Sequence, residues 1–104
     1  EKLRDDFGGA PFMVAVLSQP ADEHLPDFEN SLASATAVEN MCLQAQAEGV
    51  GSVWLTVGST PPARNILKVP DQYKVIALLA MGYPDETPPA PPREEPATRI
   101  KQLP

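Results

Sequence analysis

The segment over residues 31–48, Ser-Leu-Ala-Ser-Ala-Thr-Ala-Val-Glu-Asn-Met-Cys-Leu-Gln-Ala-Gln-Ala-Glu, constrains this chain more than any other. It reads as one helix with apolar residues on nearly every face and two charges, Glu39 and Glu48. A surface helix confines its apolar residues to a stripe, so a helix apolar all round is expected to be buried on most sides. The chain available to bury it has 104 residues, one domain at most. Seven of the thirteen prolines fall in residues 84–104, which contribute little to a core. Roughly 80 residues remain, where burial is only just sufficient for independent stability. The helix therefore calls for cover beyond what one copy of this chain supplies.

Composition narrows the function classes. A formal charge of −6 argues against a nucleic-acid surface, because phosphate binding needs clustered Lys and Arg. No apolar run reaches the ~20 residues needed to cross a bilayer. The opening Glu1-Lys-Leu-Arg-Asp-Asp6 is charged and has no apolar core of a signal peptide. A single cysteine, Cys42, forms no internal disulfide and suits a reducing, cytoplasmic compartment. The absent initiator Met and an apolar strand within about ten residues of the start are expected of a piece of something longer.

The local signals alternate between helix and strand. Residues 1–7 read as the end of a helix closed by Gly8-Gly9. Pro11-Phe-Met-Val-Ala-Val-Leu17 is a continuous apolar run, predicting a strand buried on both faces. Residues 18–30 hold Pro20, Pro26, four acids and His24, which reads as a polar loop of the length that caps or gates a site. The long helix is expected to start between Asp27 and Ser31 and to stop at Gly49 in the left-handed position. A short strand follows over residues 52–57. Ser59-Thr-Pro-Pro opens a short helix to about Lys68, proline being tolerated in a first turn. Pro70-Asp-Gln makes a turn, Tyr73-Lys-Val-Ile-Ala-Leu-Leu-Ala-Met81 is the clearest strand, and Gly82-Tyr-Pro84 ends it. This order is α+β. Residues 85–104 are expected to form an extended, polyproline-like arm.

The search for a nucleophile or metal site finds little. His24, the single histidine, sits among Asp22, Glu23 and Asp27 and reads as a solvated loop residue, because a triad requires a positioned third group. Cys42 reads as an inert core cysteine. No Cys/His cluster has zinc spacing. The adjacent acids Asp85-Glu86 and Glu94-Glu95 read as solubilising. Gly49-Val-Gly51 follows a helix and opens a strand, the reverse of the order in a dinucleotide fingerprint, so it reads as a helix stop with close backbone approach.

Taken together, Ala37-Val-Glu-Asn-Met-Cys-Leu-Gln-Ala45, Glu48-Gly-Val-Gly-Ser-Val-Trp54, Ile66-Leu-Lys-Val-Pro70, Ala80-Met-Gly-Tyr-Pro84 and a closing Arg93 resemble the C-terminal half of the nitroreductase family. These are FMN-dependent oxidoreductases, and the flavin deiodinases share their fold. The resemblance covers about residues 9–93. It implies a mixed sheet flanked by helices over residues 1–84, as an incomplete domain, and the extended arm over residues 85–104. It further implies a homodimer with FMN at each subunit interface, the central helix in the dimer core, and C-terminal arms embracing the partner. NAD(P)H would be the hydride donor and an electron-poor compound, such as a nitroaromatic or quinone, the acceptor.

By the same resemblance Trp54, Leu55 and Thr56 would line the flavin ring, with Thr56 as the side-chain donor near N5. Arg93 would pair with the FMN phosphate, which its planar fork suits. The rival readings are a packed Trp54, an ordinary strand Thr56, and Pro88-Pro-Ala-Pro-Pro-Arg93 as a ligand for an SH3-type groove. The family's N-terminal half normally supplies an Arg-Arg/Ser-x-Arg segment for phosphate and ribityl chain and a Pro-Ser-x-x-Asn segment along the ring; nothing in this chain matches either. A non-catalytic dimerisation module that has kept the family's core therefore stands as the second reading.

Overall fold

The computed structural model describes residues 7–104. The helix end expected over residues 1–7 thus lies outside the described residues except for Phe7, which begins a 3-10 turn over Phe7–Gly9. Three strands and two helices follow: β1 (Phe12–Ser18), α1 (His24–Ala47), β2 (Gly51–Leu55), α2 (Pro61–Leu67) and β3 (Lys74–Gly82). The α+β class expected from the order of local signals is what forms.

β3 lies between β1 and β2 and pairs antiparallel with both. β1, α1 and β2 therefore form a crossover whose two strands run parallel but are split by β3. The expected mixed sheet is antiparallel throughout among the described residues, because every strand pair includes β3. β3 has the longest apolar run of the three strands, Val75-Ile-Ala-Leu-Leu-Ala-Met81, which suits the central place. Four consecutive residues of it, Ala77 to Ala80, are buried. β1 was expected to be buried on both faces as well, but Phe12 is 62% exposed and Ala15 is open to solvent. An edge strand with a helix on one side only cannot hide both faces. In the β1 ladder Val16 faces Ala77 and Leu17 faces Val75, leaving Ile76 unopposed as a bulge.

α1 begins at His24, earlier than the Asp27 to Ser31 start expected, and takes in half of the supposed loop. Pro26 fits because the first turn of a helix needs no N–H from it. Two contacts fix this end. Asn30 Nδ2 donates to the Gln19 carbonyl oxygen at 3.0 Å, and the Lys74 ammonium pairs with Asp27, joining the start of β3 to the start of α1. The other end stops as expected. Gly49 has φ 77°, Val50 N–H donates to Ala45 O at 2.8 Å, and Gly49 N–H donates to Gln46 O at 3.1 Å. This pair of bonds satisfies the last carbonyls and needs a left-handed residue, for which glycine carries no Cβ penalty.

α1 lies on one face of the sheet. Val38, Ala77 and Leu79 form the core there, with Val14, Val16, Met41, Cys42 and Met81 packed around them. Cys42 thus packs against the core as its helix position suggests. The expectation that α1 is buried on most sides fails within this single chain, where only Val38 and Ala45 are buried. Leu25, Phe28, Leu32 and Leu43 are between 51% and 62% exposed on the opposite side. One sheet can cover one face of a helix, and among the described residues no second layer reaches the other. Residues 84–104 are exposed throughout and have no regular structure apart from a 3-10 turn at Pro96–Thr98.

Candidate functional site

β2 and the turn after it carry three of the four residues singled out. Trp54 and Leu55 are the last two residues of β2, and Thr56 is the first of the 3-10 turn Thr56–Ser59. The strand expected over residues 52–57 therefore ends two residues early, where the chain rolls into the turn. Neighbouring strand residues project to opposite faces. Trp54 pairs with Leu79, on the α1 side of the sheet, whereas Leu55 pairs with Leu78, on the other side. Their side chains are separated by the sheet. They share one neighbourhood only through the backbone leading into Thr56.

The turn is tied by its own hydroxyls. Ser59 Oγ donates to Thr56 O at 2.9 Å, Thr60 Oγ1 donates to Val57 O at 2.8 Å, and Thr60 N–H donates to the same Val57 O at 3.0 Å. Thr56 and Val57 are exposed at its outer edge, and the Thr56 hydroxyl makes no hydrogen bond among the described residues. α2 follows, with Pro61 and Pro62 in its first turn as expected. It closes on Lys68, which takes the left-handed conformation at φ 54°. Arg64 then holds the turn before β3: its guanidinium donates to the carbonyl oxygens of Tyr73 at 2.9 Å, Pro70 at 3.1 Å and Asp71 at 3.4 Å.

Arg93 lies in the exposed segment beyond β3, and among the described residues it makes no ion pair; the pairing arginine of the arm is Arg99, with Glu94 at 2.6 Å. The structure thus groups Trp54, Leu55 and Thr56 along the backbone and does not tie Arg93 to them. An unengaged hydroxyl and an unpaired guanidinium are donors that suit an electron-rich, anionic ligand. On those two groups the residues present fit a flavin phosphate and ring edge, as part of a site.

The cavities lie elsewhere. A trough of about 570 Å³ runs between Met41, Gln44, Ala45, Val50 and Met81. A cleft of about 530 Å³ sits where Phe7, Pro11, Ala80, Gly82 and Pro84 converge, and an apolar hollow of about 320 Å³ lies between Phe12, Val50, Met81 and Tyr83. None of the four singled-out residues lines any of these three. His24 is exposed and belongs to α1 instead of a loop; its ring stacks on Phe28 with centroids 6.5 Å apart. Among the described residues, no group of three or more His, Cys, Asp or Glu side chains converges, and no helix is long and apolar enough to cross a membrane.

One residue of this region escaped the sequence reading. Gly58 is buried in the turn against β3, and a glycine after a strand was the one signal that could have marked it.

The fold resembles that of a nitroreductase-like family protein from Bacillus cereus, with a TM-score of 0.83 over 97% of this chain and 55% of that one, at 20% identity. In sequence the chain is 28% identical over 87 residues to the Escherichia coli K12 protein named "Putative NAD(P)H nitroreductase YdjA", covering 81% of this chain and 48% of that protein. It is 34% identical over 56 residues to an Archaeoglobus fulgidus protein named "Putative NADH dehydrogenase/NAD(P)H nitroreductase", covering 50% of this chain and 32% of that protein. The chain thus spans about half the length, or less, of the curated relatives it matches. The nitroreductase family model matches residues 1–83, most of the chain. This chain belongs to the nitroreductase family.

Proposed function

We propose that this chain is the flavin-ring half of an FMN-dependent oxidoreductase that works as a homodimer, using NAD(P)H as donor and an electron-poor acceptor such as a nitroaromatic or quinone. Family membership over residues 1–83 carries the reading, and the NAD(P)H in the names of two relatives supports the donor. When bound, FMN supplies a two-electron carrier between donor and acceptor. The residues of this chain bind and tune it. The Thr56 hydroxyl, exposed and with no hydrogen bond among the described residues, offers a donor to the ring edge where charge builds during reduction. The Trp54 ring, 40% exposed, offers an apolar wall, and Leu55 anchors the strand end to β3. Arg93, without an ion-pair partner among the described residues, is available to the phosphate. Residues 1–84 serve as the half-domain and residues 85–104 as the arm.

The second copy is supported by α1. Four large apolar side chains on its open side are at least half exposed; burying a Leu or Phe fully is worth about 1.5–3 kcal/mol. The hydroxyls of Ser31, Ser34 and Thr36 each donate to the backbone oxygen four residues earlier, at 3.0, 2.8 and 2.9 Å. Polar groups satisfied within the helix can be buried against another surface without desolvation cost going unanswered.

The open apolar side of α1 is equally consistent with one other reading, a dimerisation module without a flavin. Absorption spectroscopy separates the two. Purified protein that is yellow, or becomes so on adding FMN, with Arg93→Ala weakening FMN retention and Thr56→Val altering its reduction by NAD(P)H, supports the enzyme. Colourless protein that sediments as a stable dimer supports the module. If both substitutions leave FMN affinity and turnover unchanged, the site assignment is wrong.

A further inference from the structure

We infer that Gly58 is a positioning residue for the Thr56 donor, because a side chain at position 58 would press on Leu78 and Val75 of β3 and shift the turn that carries Thr56. This role rests on the flavin reading of Thr56 given above.

The geometry is a clamp on one residue of β3. Leu78 is 3% exposed and is held in the sheet from both sides, by Ala15 of β1 and Leu55 of β2. The chain leaves Leu78 at Leu55, passes through Thr56 and Val57, and returns to it at Gly58. An ideal Cβ at position 58 would stand 3.0 Å from Leu78 Cβ, 3.1 Å from Val75 Cγ1 and 3.8 Å from Leu78 Cδ2. The first contact is with an atom attached directly to the paired backbone of β3, which has no rotamer to escape into. The turn, exposed on its outer side, must yield instead. Thr56 is thereby fixed at both ends, through the ladder at Leu55 and through bare backbone contact at Gly58, and the three hydrogen bonds within the turn pass that constraint to its outer edge.

A methyl group at position 58 lifts the turn by a few tenths of an ångström and leaves the α1 face of the sheet untouched. Misplacing a group that acts on a reacting centre costs rate more than affinity, by up to about 100-fold for a shift of 1 Å. The test compares Gly58→Ala with Val38→Ala, which opens a cavity in the core on the opposite face of the sheet. Both are made in the 104-residue protein, with FMN as ligand and NADH and NADPH as reductants. Gly58→Ala is expected to bind FMN within about threefold of the parent and to reduce it roughly tenfold more slowly. Its bound flavin should show a displaced visible absorption band, and its Thr60 amide should exchange faster while that of Leu79 stays protected. Val38→Ala should melt earlier with an unaltered flavin spectrum.

An unchanged reduction rate and spectrum in Gly58→Ala overturns the inference while leaving the flavin reading intact. So does an equal rate loss in Val38→Ala, which makes the effect one of stability alone. If the unaltered protein takes up no FMN, the functional reading fails first and this role falls with it. Should Gly58→Ala not fold, the double variant with Val75→Ala, which removes the 3.1 Å contact, carries the same comparison.

Discussion

Leu79 is the residue on which the stability of this chain leans hardest. It is fully buried at the centre of β3, between Val14 and Trp54 in the two ladders and under Val38 of α1. Truncation to Ala removes three carbons, or about 2.4 kcal/mol of transfer free energy at ~0.8 kcal/mol each. The cavity left behind adds to this, and Leu→Ala in a rigid core costs about 3–5 kcal/mol in all. Collapse around the hole is limited, because Leu79 is hydrogen-bonded into a central strand that has neighbours on both sides. Among the described residues the buried core holds only two large aliphatic side chains besides Val38, namely Leu78 and Leu79, the rest being alanines. A domain this small therefore sits near the lower end of the ~5–15 kcal/mol range of native stability, and the substitution consumes a large part of it. At ~4–8 °C per kcal/mol for a chain of this size, the thermal midpoint should fall by at least about 12 °C. Circular dichroism melts at fixed protein concentration measure this, with Ile66→Ala as control, since Ile66 is 80% exposed. A Leu79→Ala midpoint within about 3 °C of the parent, or an equal loss in Ile66→Ala, would refute the assignment of the core.

Three other outcomes follow from local geometry. Lys68 occupies the left-handed position that Gly49 fills at the end of α1, with the same pair of bonds: Val69 N–H to Arg64 O at 3.1 Å and Lys68 N–H to Asn65 O at 3.3 Å. Lys68→Gly should stabilise the protein by about 0.5–1 kcal/mol in urea titrations; a loss of stability would contradict the strain at Lys68. Arg64→Met should cost about 1–3 kcal/mol by leaving three carbonyls without their donor, and Arg64→Lys should not restore it, because an ammonium cannot span the fork. Equal melting of Arg64→Lys and parent would discount the clamp. The hydrogen bond from Lys74 is the main reason the Asp27 carboxyl titrates below its ordinary value. Its depressed native pKa means that the contribution is present above the unfolded Asp value. It is lost as pH falls below about 4 and on through the native pKa. Asp27→Asn should therefore flatten the acid limb of the urea midpoint plotted against pH; an unchanged limb would show that other carboxyls govern it.

How much was legible beforehand differs by element. β3, α2 and the stop of α1 at Gly49 were readable, because a continuous apolar run, Pro-Pro in a first turn and a glycine brake act within a few residues of themselves. The start of α1 at His24 lies several residues before the point its local signals indicate. Pro26 and the acids around His24 look like loop composition, yet the Lys74–Asp27 pair and the Asn30–Gln19 bond, both long in sequence, hold the segment helical. The motif string that pointed to the nitroreductase family falls on the helix-to-strand joint at Gly49 and on the end of β3, where local and family signals coincide.

Trp54, Leu55 and Thr56 illustrate the remainder. As a tripeptide they look like one lining, but the ladder to β3 sends Trp54 and Leu55 to opposite faces and leaves Thr56 at the head of a turn. Gly58 carries only the weak signal of a glycine after a strand, since its importance lies in what stands beneath it, and Leu78 is reached only through strand pairing.

The order of elements, their stops, and the greasy character of α1 were set by short-range chemistry that any reader of the chain can recover. Which side of α1 is covered, which strand is central to the sheet, and how the Thr56 turn is pinned were decided only on folding. The physical reason is that backbone preference and periodicity are properties of neighbours along the chain, whereas burial and ladder register belong to residues brought together from afar. Apolarity tells that a surface must be covered; packing alone tells by what.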